Sequence, residues 1–387
     1  MSRQAVVVDA IRTPVGRGKA GGALADVHPV DLLAGILETL VRRSDLDPAL
    51  VEDVLTGCAQ QVGEQSGNIG RLAALAAGFP QTVPATTINR QCGSSQQAVA
   101  FGAQGIIAGA YDIVIAAGVE MMSAVPLGAS RPESTGTRMA ERYPEGLVNQ
   151  GVSAELVAQR WKLDREDLDA YAAESHRRAA RTWADGGFAA EVVPVGDVAT
   201  DETVRAGTTA EKLAGLRPSF RTEEMVARFP DLDWKITPGN SSPLTDGASA
   251  VLIMSEEKAV QLGLRPRARF VASAVIGDDP LMMLTAPIPA TRMVLDRAGL
   301  ALDDVAAYEV NEAFASVPLA WARELNADPA RLNPRGGAIA LGHALGSSGT
   351  RLLVTLLHEL EATGSRYGLQ TMCEAGGMAN ATVVERL

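Results

Sequence analysis

Two stretches in which strand-like and helix-like segments alternate, separated by a charged region without that alternation, constrain this chain more than any other feature. Ala5 to Ala10 is a Val-rich apolar run that reads as a buried strand, Asp31 to Arg42 has helical spacing at Leu32, Ile36, Leu37 and Leu40, and Val51 to Cys58 reads as a second strand. A helix over Ala98 to Ala108, ending near Gly109, and a buried strand over Asp112 to Gly118 follow. Such alternation predicts a mostly parallel sheet in an α/β fold. After about Met122 it stops: Pro126, Pro132, Pro144 and several glycines interrupt any period, and Asp164 to Gly186 follows as one amphipathic helix with Leu168, Tyr171, Ala172, Ser175 and Ala179 on one face. The alternation returns with strands over Arg267 to Val275, Val305 to Val310 and Gly368 to Cys373, helices over Ala290 to Ala298 and Thr350 to Leu360, and a last strand over Thr382 to Glu385. Asp53-Val54 precedes Cys92 by the same interval that separates Asp304-Val305 from His343. The expectation is a duplicated α/β unit with one reactive residue per half. Residues 1–122, completed by 238–265, form the first half, 123–237 an inserted loop or lid domain, and 266–387 the second half.

Composition narrows the function. A chain of 387 residues fits about two or three domains, and 47% hydrophobic with 21% charged residues excludes wholesale disorder. The formal charge of −11 argues against non-specific binding to nucleic acid or an anionic membrane, while leaving room for an anionic small ligand. Cys58, Cys92 and Cys373 cannot make a disulfide framework and show no zinc spacing, so no metal is expected and a reducing compartment fits. The start, Met1-Ser-Arg-Gln-Ala, lacks a signal-peptide apolar stretch, no uncharged apolar run reaches about 18 residues, and the Glu-Arg-Leu end is not a peroxisomal or ER address. A cytoplasmic location is expected.

Four constellations carry chemistry. In Asn89-Arg90-Gln91-Cys92-Gly93-Ser94-Ser95, a β-rich stretch leads through small residues into a helix, which places Cys92 at a helix N-terminus where a thiolate is favoured; a buried structural Cys is the competing interpretation. In Gly342-His343-Ala344-Leu345-Gly346, glycines allow close ligand approach around the best general-base candidate, against a surface histidine in a turn; His28, His176 and His358 lie in ordinary helix or loop patterns. Thr371-Met-Cys373-Glu-Ala-Gly-Gly puts a second Cys at a strand end, reactive or packed in the core. Val310-Asn311-Glu312 sets polar residues directly after an apolar strand, where α/β folds open their crevices, or where Asn311 would cap a helix.

Taken together, Cys92, His343, Cys373 and Asn311 resemble the motifs of the thiolases. The resemblance runs from Val7-Val-Asp-Ala-Ile-Arg-Thr-Pro-Val-Gly16 to Val383-Val-Glu-Arg386, through Gly118-Val-Glu-Met-Met-Ser123, Gly239-Asn-Ser-Ser-Pro-Leu-Thr-Asp-Gly-Ala248 and Pro287-Ile-Pro-Ala290. It implies two similar α/β halves in a five-layered αβαβα core, with an inserted loop domain that holds coenzyme A as substrate and no covalently bound cofactor. It implies Cys92 as acyl-accepting nucleophile, His343 as its base and Cys373 as second acid/base. Asn311 would hold a water that forms one oxyanion hole with the His343 ring, and the N–H groups of Cys92 and Ala375 would form the other. Ser242 falls where the family contacts pantetheine, Arg205 where an Arg packs near adenine, and Met283 and Phe314 near the acyl pocket. A homodimer or homotetramer is implied as well.

This chain departs from the family pattern in four places. Ala344 stands for Pro, Ala375 for Gly, Ser94-Ser95 for Ser-Gly, and Asn149-Gln150-Gly151 for a His-Met-Gly-like stretch of short-chain biosynthetic enzymes. The expected activity is thiolytic cleavage of 3-oxoacyl-CoA with CoA through an acyl-cysteine, in lipid degradation; the alternative is acetoacetyl-CoA formation from two acetyl-CoA at the same site. Expelling a carbon leaving group requires one Cys to attack and a second acid to protonate carbon, so two distant Cys and one His suit this reaction. A decarboxylating ketosynthase of the same superfamily would lack Cys373. A non-catalytic acyl-CoA-binding protein would have no need of all four residues.

Overall fold

The computed structural model describes residues 3–387. Its strands are β1 (Ala5–Arg12), β2 (Gly16–Arg17), β3 (Asp53–Gly57), β4 (Ala85–Ile88), β5 (Ile113–Met121), β6 (Thr245–Ser255), β7 (Ala268–Gly277), β8 (Ala307–Val310), β9 (Tyr367–Glu374) and β10 (Met378–Arg386). They follow the order β4-β3-β5-β6-β1-β7-β10-β9-β8, with β2 beside β6. The halves repeat strand for strand. In the first, β3 is parallel to β5, and β6 runs antiparallel to both β5 and β1. In the second, β8 is parallel to β9, and β10 runs antiparallel to both β9 and β7. A parallel bridge between Tyr308 and Leu332 takes the place of the β3–β4 pairing. The halves meet where Val6 and Val7 pair with Arg269 and Ala268.

The sheet is therefore mixed, not mostly parallel. Each half ends in an antiparallel return strand, and the sequence reading had no strand at β6. All eleven residues of β6 are buried, so no polar alternation marks it.

Side-chain alternation along the strands builds the layers. Val6 and Val8 face helices α1 (Pro29–Arg43) and α2 (Ile69–Ala76), packing with Leu33, Leu37 and Ala73. Ala5 and Val7 face the other way, onto Val99 and Ile106 of α3 (Ser94–Ile107) and Leu353 and Leu357 of the helix Ser348–Thr363. On the far side of the second half, the helices Pro287–Ala298 and Ser316–Leu325 cover Val310, Leu369 and Ala381 with Val294 and Trp321. Helix, sheet, paired central helices, sheet and helix thus lie in succession. The central pair touches closely: a Cβ on Gly349 would come within 2.1 Å of the Gln96 nitrogen. Burial between the two halves of the sheet also explains why α3 starts at Ser94, ahead of the expected Ala98. Ser94 to Gln97 are all buried polar residues, and Ser95 Oγ accepts from Thr350 N across the layer at 3.0 Å, so the first turn shows no amphipathic pattern.

Residues 123–237 leave the sheet between β5 and β6. Their longest helix, Arg165–Ala184, opens on a capping box made by Asp164 and Asp167, and its Leu168 and Ala172 pack in one cluster with Phe314 and Cys373. Arg12 of β1 ties this segment to the core. It is wholly buried and donates to Glu191 at 2.6 Å and to both oxygens of Asp201 at 2.8 and 3.0 Å.

Candidate active site

Reactive side chains gather where β4, β8 and β9 end. After β4 the chain turns sharply. Asn89 Oδ1 accepts from Gln91 N at 2.9 Å, Gln91 takes a left-handed φ of +50°, and Gly93 caps α3. Cys92 sits on this turn and is buried. Its sulfur receives two backbone N–H groups, its own and that of Ala375. Those donors do not produce a resting thiolate, contrary to the expectation from the helix N-terminus. Burial, and after it the charge of Glu374, push the thiol up to about 12. Desolvation outweighs the dipole because the helix end is enclosed.

Cys373, at the end of β9, is buried beside it, and its thiol is likewise raised, by burial first and the Cys92 charge second. The turn to β10 places its left-handed residues at Gly376 (φ +88°) and Gly377 (φ +77°) and not at Ala375. Alanine for the family's glycine is therefore accommodated without strain, and its N–H remains available.

Gly342, at φ +82°, turns His343 inward. Its Nδ1 lies 2.7 Å from Ser348 Oγ, which itself donates to Ala344 O at 2.8 Å. Its Nε2 lies 3.5 Å from Asn311 Nδ2. Burial, then the Arg351 charge, hold the imidazole down near 3, so it is neutral at physiological pH. Ala344 has φ −68°, the angle proline would impose, so the usual Pro is replaced without changing the local path. Asn311 is not a helix cap: Ala315 precedes the helix Ser316–Leu325. Its backbone N–H donates to Thr371 O at 3.1 Å, fixing it beside the Cys373 strand. Its Oδ1 is buried without a partner among the described residues, as a group awaiting a water or substrate would be.

A cavity of about 160 Å³ opens onto His343 and is lined by Ser242, Phe314, Gln150, Leu244 and Leu345 among others. Ser242 is anchored through N–H and Oγ to Ala313 O at 3.0 and 3.1 Å. Phe314 meets Phe220 edge-on, with centroids 5.9 Å apart. Met283, at φ +51°, packs in one cluster with Phe314 and Cys373. Arg205 is not brought into this lining. It borders a separate depression with His176 and Thr208, and its backbone N–H donates to His176 Nδ1 at 3.2 Å.

Four supporting residues have roles that the sequence does not assign. Ser348 orients the imidazole. Glu312 accepts from Tyr171, Ser175, Asn333 and the Ile339 N–H at 2.7–3.0 Å, clamping the inserted helix to the Asn311 loop. Glu120 accepts from the N–H groups of Ala59, Gln60 and Gly346, joining the Cys58 and His343 loops. Glu374 is close enough to both thiols for its charge to act on each. Of these only Glu312 had a sequence signal, its place beside Asn311 after a strand.

Comparison with known proteins identifies the family and the fold. Residues 5–257 match the family description "Thiolase, N-terminal domain" and residues 264–386 match "Thiolase, C-terminal domain". The chain is 47% identical, over 99% of its length and 94% of the relative's, to a steroid 3-ketoacyl-CoA thiolase of Mycobacterium tuberculosis. It is 42% identical, over the full length of both, to a 3-oxoadipyl-CoA/3-oxo-5,6-dehydrosuberyl-CoA thiolase of Escherichia coli. The crystal structure of the Bacillus anthracis acetyl-CoA acetyltransferase superposes with a TM-score of 0.89 at 37% identity, covering 100% of this chain and 99% of that one. With two family domains, full-length relatives and a common fold, the chain belongs to the thiolase family, enzymes that cleave 3-oxoacyl-CoA thioesters with coenzyme A.

Proposed function

We propose that this chain performs thiolysis through an acyl-Cys92 intermediate, with His343, Cys373 and Asn311 in the roles their positions suggest. The observation that carries the proposal is the sulfur of Cys92 beneath two backbone N–H groups, with a second buried thiol beside it. In the first half-reaction Cys92 Sγ attacks the 3-oxo carbon of the substrate as its proton passes to His343 Nε2. The resting thiol is held high and the imidazole low, so bond formation and proton transfer proceed together. Nε2–H and a water on Asn311 then face one developing oxyanion, and the N–H groups of Cys92 and Ala375 face the other. Each such donor is typically worth about 2.7–4 kcal/mol. The C2–C3 bond breaks, its electron pair forms the enolate of acetyl-CoA, and Cys373 S–H protonates that carbon.

In the second half-reaction the Cys373 thiolate takes the proton of incoming CoA, whose sulfur attacks the acyl carbon. Cys92 leaves and recovers its proton from His343, so both thiols end as they began. Residues 123–237 are the CoA-binding loop domain in this reading. Pantetheine runs past Ser242, and Arg205 reaches the nucleotide end from the neighbouring depression. Met283 and Phe314 bound the acyl pocket. The enzyme acts in the cytoplasm as a homodimer or homotetramer in lipid degradation.

Cys373→Ala tests the division of labour. The variant should acylate slowly from acetyl-CoA yet fail to cleave acetoacetyl-CoA, and full cleavage would remove Cys373 from the mechanism.

A further inference from the structure

Strand alternation sends Cys373 and Glu374 to opposite faces of β9. Cys373 joins the cluster containing Met283 and Phe314. Glu374 turns to the amino end of α3, where a Cβ built on Gly93 would sit 1.8 Å from Glu374 Oε1. The residue after the nucleophile must therefore lack a side chain, because a carboxyl fills that space. Glu374 is wholly buried; Oε1 accepts from Asn380 Nδ2 at 2.6 Å, and Oε2 has no hydrogen-bond partner among the described residues. Around it, Arg90 is the cation on the turn before Cys92, Asn380 is the uncharged donor on β10, and Cys92 and Cys373 are the titratable groups it acts upon.

Burial raises the Glu374 carboxyl to about 8, against the pull of Asn380 and Arg90. Once ionised, it opposes negative charge on both sulfurs. It is the first influence after burial on Cys92, and it adds to burial and Cys92 on Cys373. Thiolysis as proposed above requires each sulfur to carry that charge in turn, and the inference rests on that reading. We propose that Glu374 is a positioning residue for both thiols: as a neutral acid it lets Cys92 and Cys373 take negative charge in turn, and as a carboxylate it opposes both. Thiolysis by this chain therefore carries an alkaline limb that belongs to Glu374.

The test compares wild type with the isosteric, permanently neutral Glu374→Gln at about pH 7 and about pH 9. Two rates are read: kcat/KM for acetoacetyl-CoA with CoA, and alkylation of Cys92 by iodoacetamide. The ratio of the high-pH to the low-pH rate should be about tenfold larger in the variant for both, because a neighbouring unit charge changes the thiolate population by that order. Equal ratios in the two proteins would overturn the proposal. Asn380→Ala gives a second reading should Glu374→Gln not fold. Removing the donor on Oε1 favours the neutral acid, so the alkaline fall should move to higher pH, and a fall that stays in place would also overturn the proposal. If the mechanism itself were wrong, acyl-Cys92 would form in none of these proteins; if only this inference were wrong, it would form and the ratios would coincide.

Discussion

Replacing Ser348 with alanine removes one hydrogen bond and exposes how His343 is held as a base. Ser348 Oγ spends its proton on Ala344 O at 2.8 Å, so toward His343 Nδ1, at 2.7 Å, it accepts. The hydrogen-bond network thus assigns the ring proton to Nδ1 and leaves a lone pair on Nε2, on the Asn311 side. Alanine strands the Nδ1–H in a buried site. Leaving such a donor unpaired costs about 1–3 kcal/mol, and the ring escapes that cost only by moving its proton to Nε2, which disables it as a base. Either route lowers the competent population, and kcat/KM should fall by about 5- to 150-fold. Consumption of acetoacetyl-CoA with CoA measures it. The loss should appear in kcat with KM for CoA little changed, since Ser348 is not among the residues lining the cavity onto His343. A Ser348→Ala enzyme as fast as wild type would refute the assignment of the tautomer.

Two further perturbations test the scaffold. Arg12→Met should leave Asp201 buried without its cation, and Glu191 with only Arg335 at 4.0 Å, and destabilise the fold by about 3–5 kcal/mol; an unchanged urea midpoint would show that this ion cluster does not tie residues 123–237 to β1. Burial holds His343 near 3 and His176 near 4, whereas unfolded histidine titrates near 6.5. The unfolded chain binds protons to these rings first as pH falls below that value, so the contribution of each histidine to stability drops from about pH 6.5 downward until its folded value is reached, while buried carboxyls such as Glu374 and Glu309, raised to about 8, change stability in the opposite sense. The loss is about 2 kcal/mol per histidine at about pH 5. Urea titrations of wild type and His176→Asn across that range check it: wild type should lose about 2 kcal/mol relative to the variant between about pH 7 and about pH 5, and a constant difference would contradict it.

What the sequence disclosed follows a physical line. β1 and β5 are Val- and Ile-rich runs whose strand character survives without context, and the common interval from Asp53 to Cys92 and from Asp304 to His343 marks a repeat that the strand order reproduces. β6 and the first turn of α3 were hidden for one reason: both are buried all round, so no polar face supplies a period. The four chemical residues stood out because small and glycine-rich neighbours surround them. Ser348 and Glu374 did not, because their importance lies in a partner distant from their own motif or in a space vacated by Gly93. The protonation state of Cys92 was misread because a helix N-terminus is visible in sequence and its enclosure is not.

The most direct measurement is mass spectrometry of the enzyme quenched after mixing with acetoacetyl-CoA in the absence of free CoA. An acetyl group on the peptide that carries Cys92, missing from Cys92→Ser and discharged when CoA is added, is the predicted result. Acetyl-CoA formation with Cys92 unmodified, or an acetyl group carried on Cys373 instead, would contradict the account.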